Sequence, residues 1–113
     1  MERGSGGQGV QMFRMIALVR LKAGIDPEPI AEAVRANLFR DPNVRSGEVV
    51  LGFGHQDKTS EVPLHTASYS VLLDFDDEAS WRLYLAGEPH ASADEVAVPY
   101  VDSVMATHYI VPN

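Results

Sequence analysis

The sequence contains no cysteine. That removes disulfide staples, thiolate metal ligands and thiol nucleophiles together, and it agrees with a reducing cytoplasm. Long hydrophobic runs are missing too. The longest, Met15 to Val19, falls far short of the ~20 apolar residues that a membrane-spanning helix needs. Positive charge is scarce: nine Lys and Arg stand against 16 Asp and Glu, a net charge of −7, and the cations form no basic stripe. Such a chain repels phosphate backbones and anionic lipid, so neither nucleic acid nor a membrane is an expected partner. No Gly-x-Ser-x-Gly elbow occurs, and no helix pattern directly follows Gly52 and Gly54 to make a phosphate loop of them.

What is present is an ordinary globular balance. The 113 residues are 45% hydrophobic and 22% charged, which suits one domain and one core. Residues 1–11 carry four glycines and almost nothing apolar. They bury too little surface to offset their ordering entropy, and are expected to be a disordered arm, an upstream start or residues foreign to the native chain. Residues 12–113 are read as the single domain.

Period-two alternation marks strands. Phe13, Met15, Ala17, Val19 and Leu21 share one face of the first, with Arg14, Ile16, Leu18, Arg20 and Lys22 on the other. Gly47–Gly54 alternates likewise, with Val49, Leu51 and Phe53 together. Thr66–Phe75 follows, with Tyr69, Val71, Leu73 and Phe75 on one side. In 101–111, Val104, Ala106, His108 and Ile110 alternate with Met105, Thr107, Tyr109 and Val111.

Two helices fit between the strands. Asp26-Pro27 supplies an N-cap and a first-turn proline, and Ile30, Ala33, Val34, Asn37 and Leu38 follow helical spacing until Asp41-Pro42-Asn43. Asp76-Asp77-Glu78 opens a second, with Trp81, Leu83, Tyr84 and Leu85 as its apolar surface and Gly87-Glu88-Pro89 as its stop. Residues 91–100 read as a short irregular helix.

Strand–helix–strand–strand–helix–strand is an α+β, ferredoxin-like βαββαβ order, an antiparallel sheet with its helices on one face. The other face then carries Ile16, Leu18, Val50 and Leu72, or their partners, depending on register. So large an apolar face calls for cover. Two copies meeting face to face about a two-fold axis would supply it, as a dimeric α+β barrel. A homodimer is therefore expected.

These segments, in this order, resemble the stress-responsive A/B barrel (Dabb) family. The resemblance rests on strand 1 from Phe13 to its basic-apolar-basic-x-Gly end, Arg20-Leu21-Lys22-Ala23-Gly24; on 66–77; on Tyr84-Leu85-Ala86-Gly87-Glu88-Pro89-His90; and on 94–111. It implies a homodimeric barrel with a pocket between sheet and helices, and no cofactor. One plant member is a polyketide cyclase that uses a Tyr and a His, which fall on Tyr84 and His90. Its other polar pocket positions fall on Met15, near Tyr69 and near His108, where this sequence differs.

His90 is the first candidate for chemistry, because an imidazole exchanges protons near neutral pH; otherwise it caps the turn after helix 2. Tyr84 either donates to a carbonyl or an enolate, or is an amphipathic core residue. His108 either hydrogen-bonds His90 or is a sheet residue. Met15, Tyr69 and Trp81 are the expected substrate-binding wall, or simply core. His55, Asp57 and His65 match no metal spacing, and Asp74, Asp76, Asp77 and Glu78 do not fit a calcium loop. The expected function is small-molecule binding, of a hydrophobic or polyketide-like ligand, with cofactor-independent cyclase chemistry by a His/Tyr pair. The alternatives are a non-catalytic stress-response or binding module and a cofactor-free monooxygenase.

Overall fold

A computed structural model describes residues 11–53 and 65–112. Apart from Gln11, the expected N-terminal arm lies outside the described residues, as does all of the expected loop over 55–63, with His55 and Asp57. The elements run β1 (Phe13–Leu21), α1 (Pro27–Leu38), β2 (Ser46–Leu51), β3 (Tyr69–Phe75), α2 (Glu78–Leu85), α3 (Glu88–Ala97), a short 3₁₀ turn (Val98–Tyr100) and β4 (Val101–Ile110). The strands form one antiparallel sheet in the order β2-β3-β1-β4. This is the α+β ferredoxin-like order expected from the sequence.

Local signals set the helix starts. Asp26 Oδ1 accepts from the Glu28 N–H at 3.1 Å, and Pro27 follows in the first helical turn. Asp77 Oδ1 accepts from the Ser80 N–H at 2.8 Å, and those Ser80 bonds hold the Asp77 carboxyl below its usual range. Gly24, at φ 84°, makes the turn out of β1 in a conformation that favours glycine. Gly47 lets β2 run close to β3, because a Cβ there would collide with the Leu72 carbonyl oxygen.

The core lies between the sheet and the helices. Phe13, Met15 and Val19 of β1 and Tyr69, Val71, Leu73 and Phe75 of β3 meet Ile30, Ala31, Val34 and Leu38 of α1, Tyr84 of α2 and Ala93 and Ala97 of α3. The register Met15↔Leu73 and Met15↔His108 puts these side chains on one face. On the opposite face Leu18 is 44%, Val50 46% and Met105 74% exposed. There Arg14 Nε donates to Asp74 Oδ1 at 2.7 Å and Nη2 to Oδ2 at 3.0 Å, a two-pronged ion pair across β1 and β3. The Asp74 and Tyr109 bonds hold the Arg14 guanidinium well above its ordinary pKa.

Four sequence expectations need correction. Gly87-Glu88-Pro89 does not simply stop a helix: Gly87 is the N-cap of α3 and Pro89 sits in its first turn, where the missing N–H costs nothing. The irregular helix expected over 91–100 is thus a regular ten-residue α3 followed by the 3₁₀ turn. In α2 only Tyr84 is buried, while Leu83 and Leu85 are exposed. Strands β2 and β3 are shorter than expected, since β2 ends at Leu51, leaving Phe53 exposed, and β3 begins at Tyr69.

Candidate functional site

Between the sheet and α2–α3 lies a cavity of about 240 Å³. Small side chains make the space: Ala17 of β1 and Ala93 and Ala97 of α3 all line it. Larger residues at those positions would fill the gap, because interiors otherwise pack to near-crystalline density. The cavity opens beside β4, whose Val104 and His108 line it and are nevertheless exposed.

All six sequence candidates line this cavity: Met15, Tyr69, Trp81, Tyr84, His90 and His108. Met15, Tyr69 and Trp81 border the space without closing it. Two aromatic runs frame it. On one side Phe13 stacks on Trp81 at 4.8 Å between ring centroids, and Trp81 meets His108 at 5.0 Å. On the other, Phe75 meets Tyr84 at 5.1 Å, and Tyr84 meets the His90 ring edge-on at 5.0 Å. The Trp81 indole N–H is buried with no hydrogen-bond partner among the described residues.

His90 occupies the first turn of α3 rather than a turn after α2. Its expected partner changes as well. His108 packs on Trp81, and no hydrogen bond joins it to His90 among the described residues. The charged group beside His90 is Asp94, one helical turn on, with Nε2 to Oδ2 at 3.8 Å. That is ion-pair range and beyond a hydrogen bond. Sequence reading missed Asp94. Its signal was the i, i+4 spacing to His90, which has meaning only if both residues are helical.

The electrostatics follow from burial and from that carboxylate. Tyr84 is 3% exposed. Burial first, then the charges of Asp94 and Asp41, push its phenol well above the usual range. Burial and Asp94 raise Tyr69 in the same way. Both phenols are therefore neutral hydrogen-bond donors throughout the physiological range. Among the cavity's lining residues Asp94 is the sole carboxylate, and neither Lys nor Arg is present. Among the described residues, no three His, Cys, Asp or Glu side chains converge into a metal-binding group.

The rim of α3 is fixed from outside the cavity. Arg40 Nη1 donates to Glu88 Oε1 at 3.0 Å, tying the start of α3 to the end of α1. That bond, with a second from Ser92, holds the Glu88 carboxyl below its usual range. Away from the cavity, the His65 ring Nδ1 lies 2.9 Å from Arg20 Nη1.

No family model matches the sequence, and no curated protein matches it. Solved structures do match. A Dabb family protein from Mesorhizobium loti with a ferredoxin-like fold aligns over 91% of this chain and 99% of its own, at a TM-score of 0.70 and 15% identity. The two share one fold. A dimeric ferredoxin-like protein of unknown function from Thermobifida fusca aligns over 90% of this chain and 92% of its own, at 0.70 and 20% identity. A hydroxynitrile lyase from Passiflora edulis aligns over 92% and 96%, at 0.71 and 16% identity. The shared ferredoxin-like frame therefore carries several labels.

Proposed function

We propose that residues 12–113 form a single Dabb-type unit that works as a homodimer, binds a small uncharged carbonyl compound in the cavity, and performs acid–base chemistry on it. The observation that carries this reading is the Tyr84–His90 edge contact, at 5.0 Å between ring centroids, on the wall of an apolar cavity. A neutral, buried phenol donates a hydrogen bond to a carbonyl oxygen and follows it as negative charge develops. An imidazole beside it accepts a proton from the adjacent carbon.

In the aldol form of this chemistry, His90 takes the α-proton and leaves an enolate whose oxygen Tyr84 holds. The enolate carbon bonds to a second carbonyl carbon of the same molecule, whose π electrons move to its oxygen. His90 then returns the proton to that alkoxide. No electrons enter or leave the system. The absence of a cation from the lining, with Asp94 present, disfavours carboxylate or phosphate ligands. A cavity of about 240 Å³ suits a compound somewhat larger than the single benzene ring that a ~150 Å³ apolar cavity accepts.

The dimer reading rests on the apolar open sheet face and on the dimeric state of the protein from Thermobifida fusca. The Passiflora enzyme supports reading the fold as a host for small-molecule chemistry; its substrate is not carried over.

The test is a turnover screen of linear β-polyketone and related carbonyl substrates with the wild-type chain and His90→Ala. Loss of a positioned general base costs ~10²–10⁴-fold in rate, so His90→Ala should fall by that much while still binding substrate. Equal rates with wild type and His90→Ala on every accepted substrate would sink the reading.

A further inference from the structure

Resting on that reading of His90, we infer that Asp94 is the positioning residue for its imidazole, supplied from the same helix rather than from the closing strand. Three observations converge. Asp94 Oδ2 is 3.8 Å from His90 Nε2. Both line the same cavity, and among the described residues no other carboxylate lines it. His108, the closing-strand residue at which a partner for His90 is expected from sequence, has its ring against Trp81 instead.

The geometry gives Asp94 two effects. A carboxylate facing Nε2 favours the tautomer with hydrogen on that nitrogen, which leaves the Nδ1 lone pair free to take a proton. Its charge also stabilises the imidazolium formed when the proton arrives, a service that a second neutral imidazole at His108 does not provide. Because α3 is one rigid helix from Glu88 to Ala97, the i, i+4 pair keeps its spacing without help from the sheet. The Asp94 side chain is 59% exposed, so its influence on His90 is screened by salt and grows when a ligand displaces water from the cavity mouth.

Other titratable groups lie around the same site. Tyr84 of α2 contacts the His90 ring, and Tyr69 of β3 and His108 of β4 line the cavity with it. Asp41, after α1, acts electrostatically on Tyr84. Glu88, at the start of α3, is held in its pair with Arg40. Among these, Asp94 alone combines negative charge with ion-pair distance to the ring.

The test needs no substrate. The His90 imidazole is titrated by proton NMR in wild type, Asp94→Asn and Asp94→Glu, its resonance assigned by its disappearance in His90→Gln. Asp94→Asn should lower the His90 midpoint, because the attraction of a unit charge ~4 Å away is removed. Asp94→Glu should restore most of it, and 1 M salt should shrink the difference. An unchanged midpoint in a folded Asp94→Asn protein would overturn the assignment, whatever the turnover screen shows. A shifted midpoint with no turnover of any substrate upholds the Asp94–His90 coupling and counts only against the catalytic reading. If Asp94→Asn fails to fold, the Asp94→Glu midpoint and the wild-type salt dependence decide: a midpoint insensitive to both overturns the inference.

Discussion

The two faces of the sheet are built from the same strands and obey the same alternation, yet they end in opposite states. On the helix side Leu73 and Phe75 of β3 are 0% exposed. On the other side their neighbours Leu72 of β3 and Leu18 of β1 face outward, with Val50 and Met105 beside them. The first face is completed within the chain by α1, α2 and α3. The second carries polar pairs toward its ends, Arg14 with Asp74 and Arg20 with His65 and Asp102, around an apolar patch of Leu18, Val50 and Met105 that the proposed second copy would cover. A one-residue shift in register would exchange the two sets. The alternation thus specifies both the cavity and the exposed apolar face.

The sharpest way to break this comparison is to truncate the covered face. Leu73→Ala should cost about 2–5 kcal/mol in denaturant unfolding, the range for a fully buried leucine. A cost near zero would show that the helices do not close that side. A smaller effect comes from pH. The Tyr84 phenol is raised in the folded state and takes its ordinary value, near pH ~10, when unfolded. Below that value both states hold the proton. As pH rises above it the unfolded chain releases its proton first, so stability falls through the alkaline range. Tyr84→Phe should flatten that fall in thermal melts at high pH, and an unchanged slope would show that the phenol is not buried as described. The smallest effect on the chain's own stability belongs to the open face. Met105→Lys should change unfolding by no more than ~0.5 kcal/mol while shifting sedimentation from dimer to monomer. A dimer that survives both Met105→Lys and Leu18→Lys would move the interface elsewhere.

The strands and their faces were legible because alternation is local: the Phe13–Leu21 pattern alone assigns every side chain to a side. Helix α1 was legible for the same reason, through its Asp26 cap and Pro27. The stretch from Gly87 to Pro89 was not, because glycine followed by proline marks the end of one helix and the start of the next equally well. Only packing decides, and here α3 docks on α1. That one ambiguity placed His90 in a turn and hid Asp94. The burial of α2 was misjudged through Leu83 and Leu85, which helical spacing allows on either side of a short helix. The His108–Trp81 contact joins β4 to α2, which no local pattern could reveal. The cavity itself depends on Ala17, Ala93 and Ala97, residues whose contribution is the volume they leave empty.

Strand β4 bears on how the chain behaves in a crowded solution. It stands at one edge of the sheet, ten residues long, and Asp102 is its only charged side chain. Natural edges are commonly guarded against strand addition by lysine, proline or a bulge. Over Val104–Ile110 this one has none of them. Its protection is diffuse: a net charge of −7 makes copies repel before two such edges can align. That barrier is colloidal rather than structural. Salt shortens its reach to about 10 Å at 0.1 M, and mild acid removes it by bringing the net charge to zero near the pI of about 4.9, leaving a template strand ready to nucleate assembly.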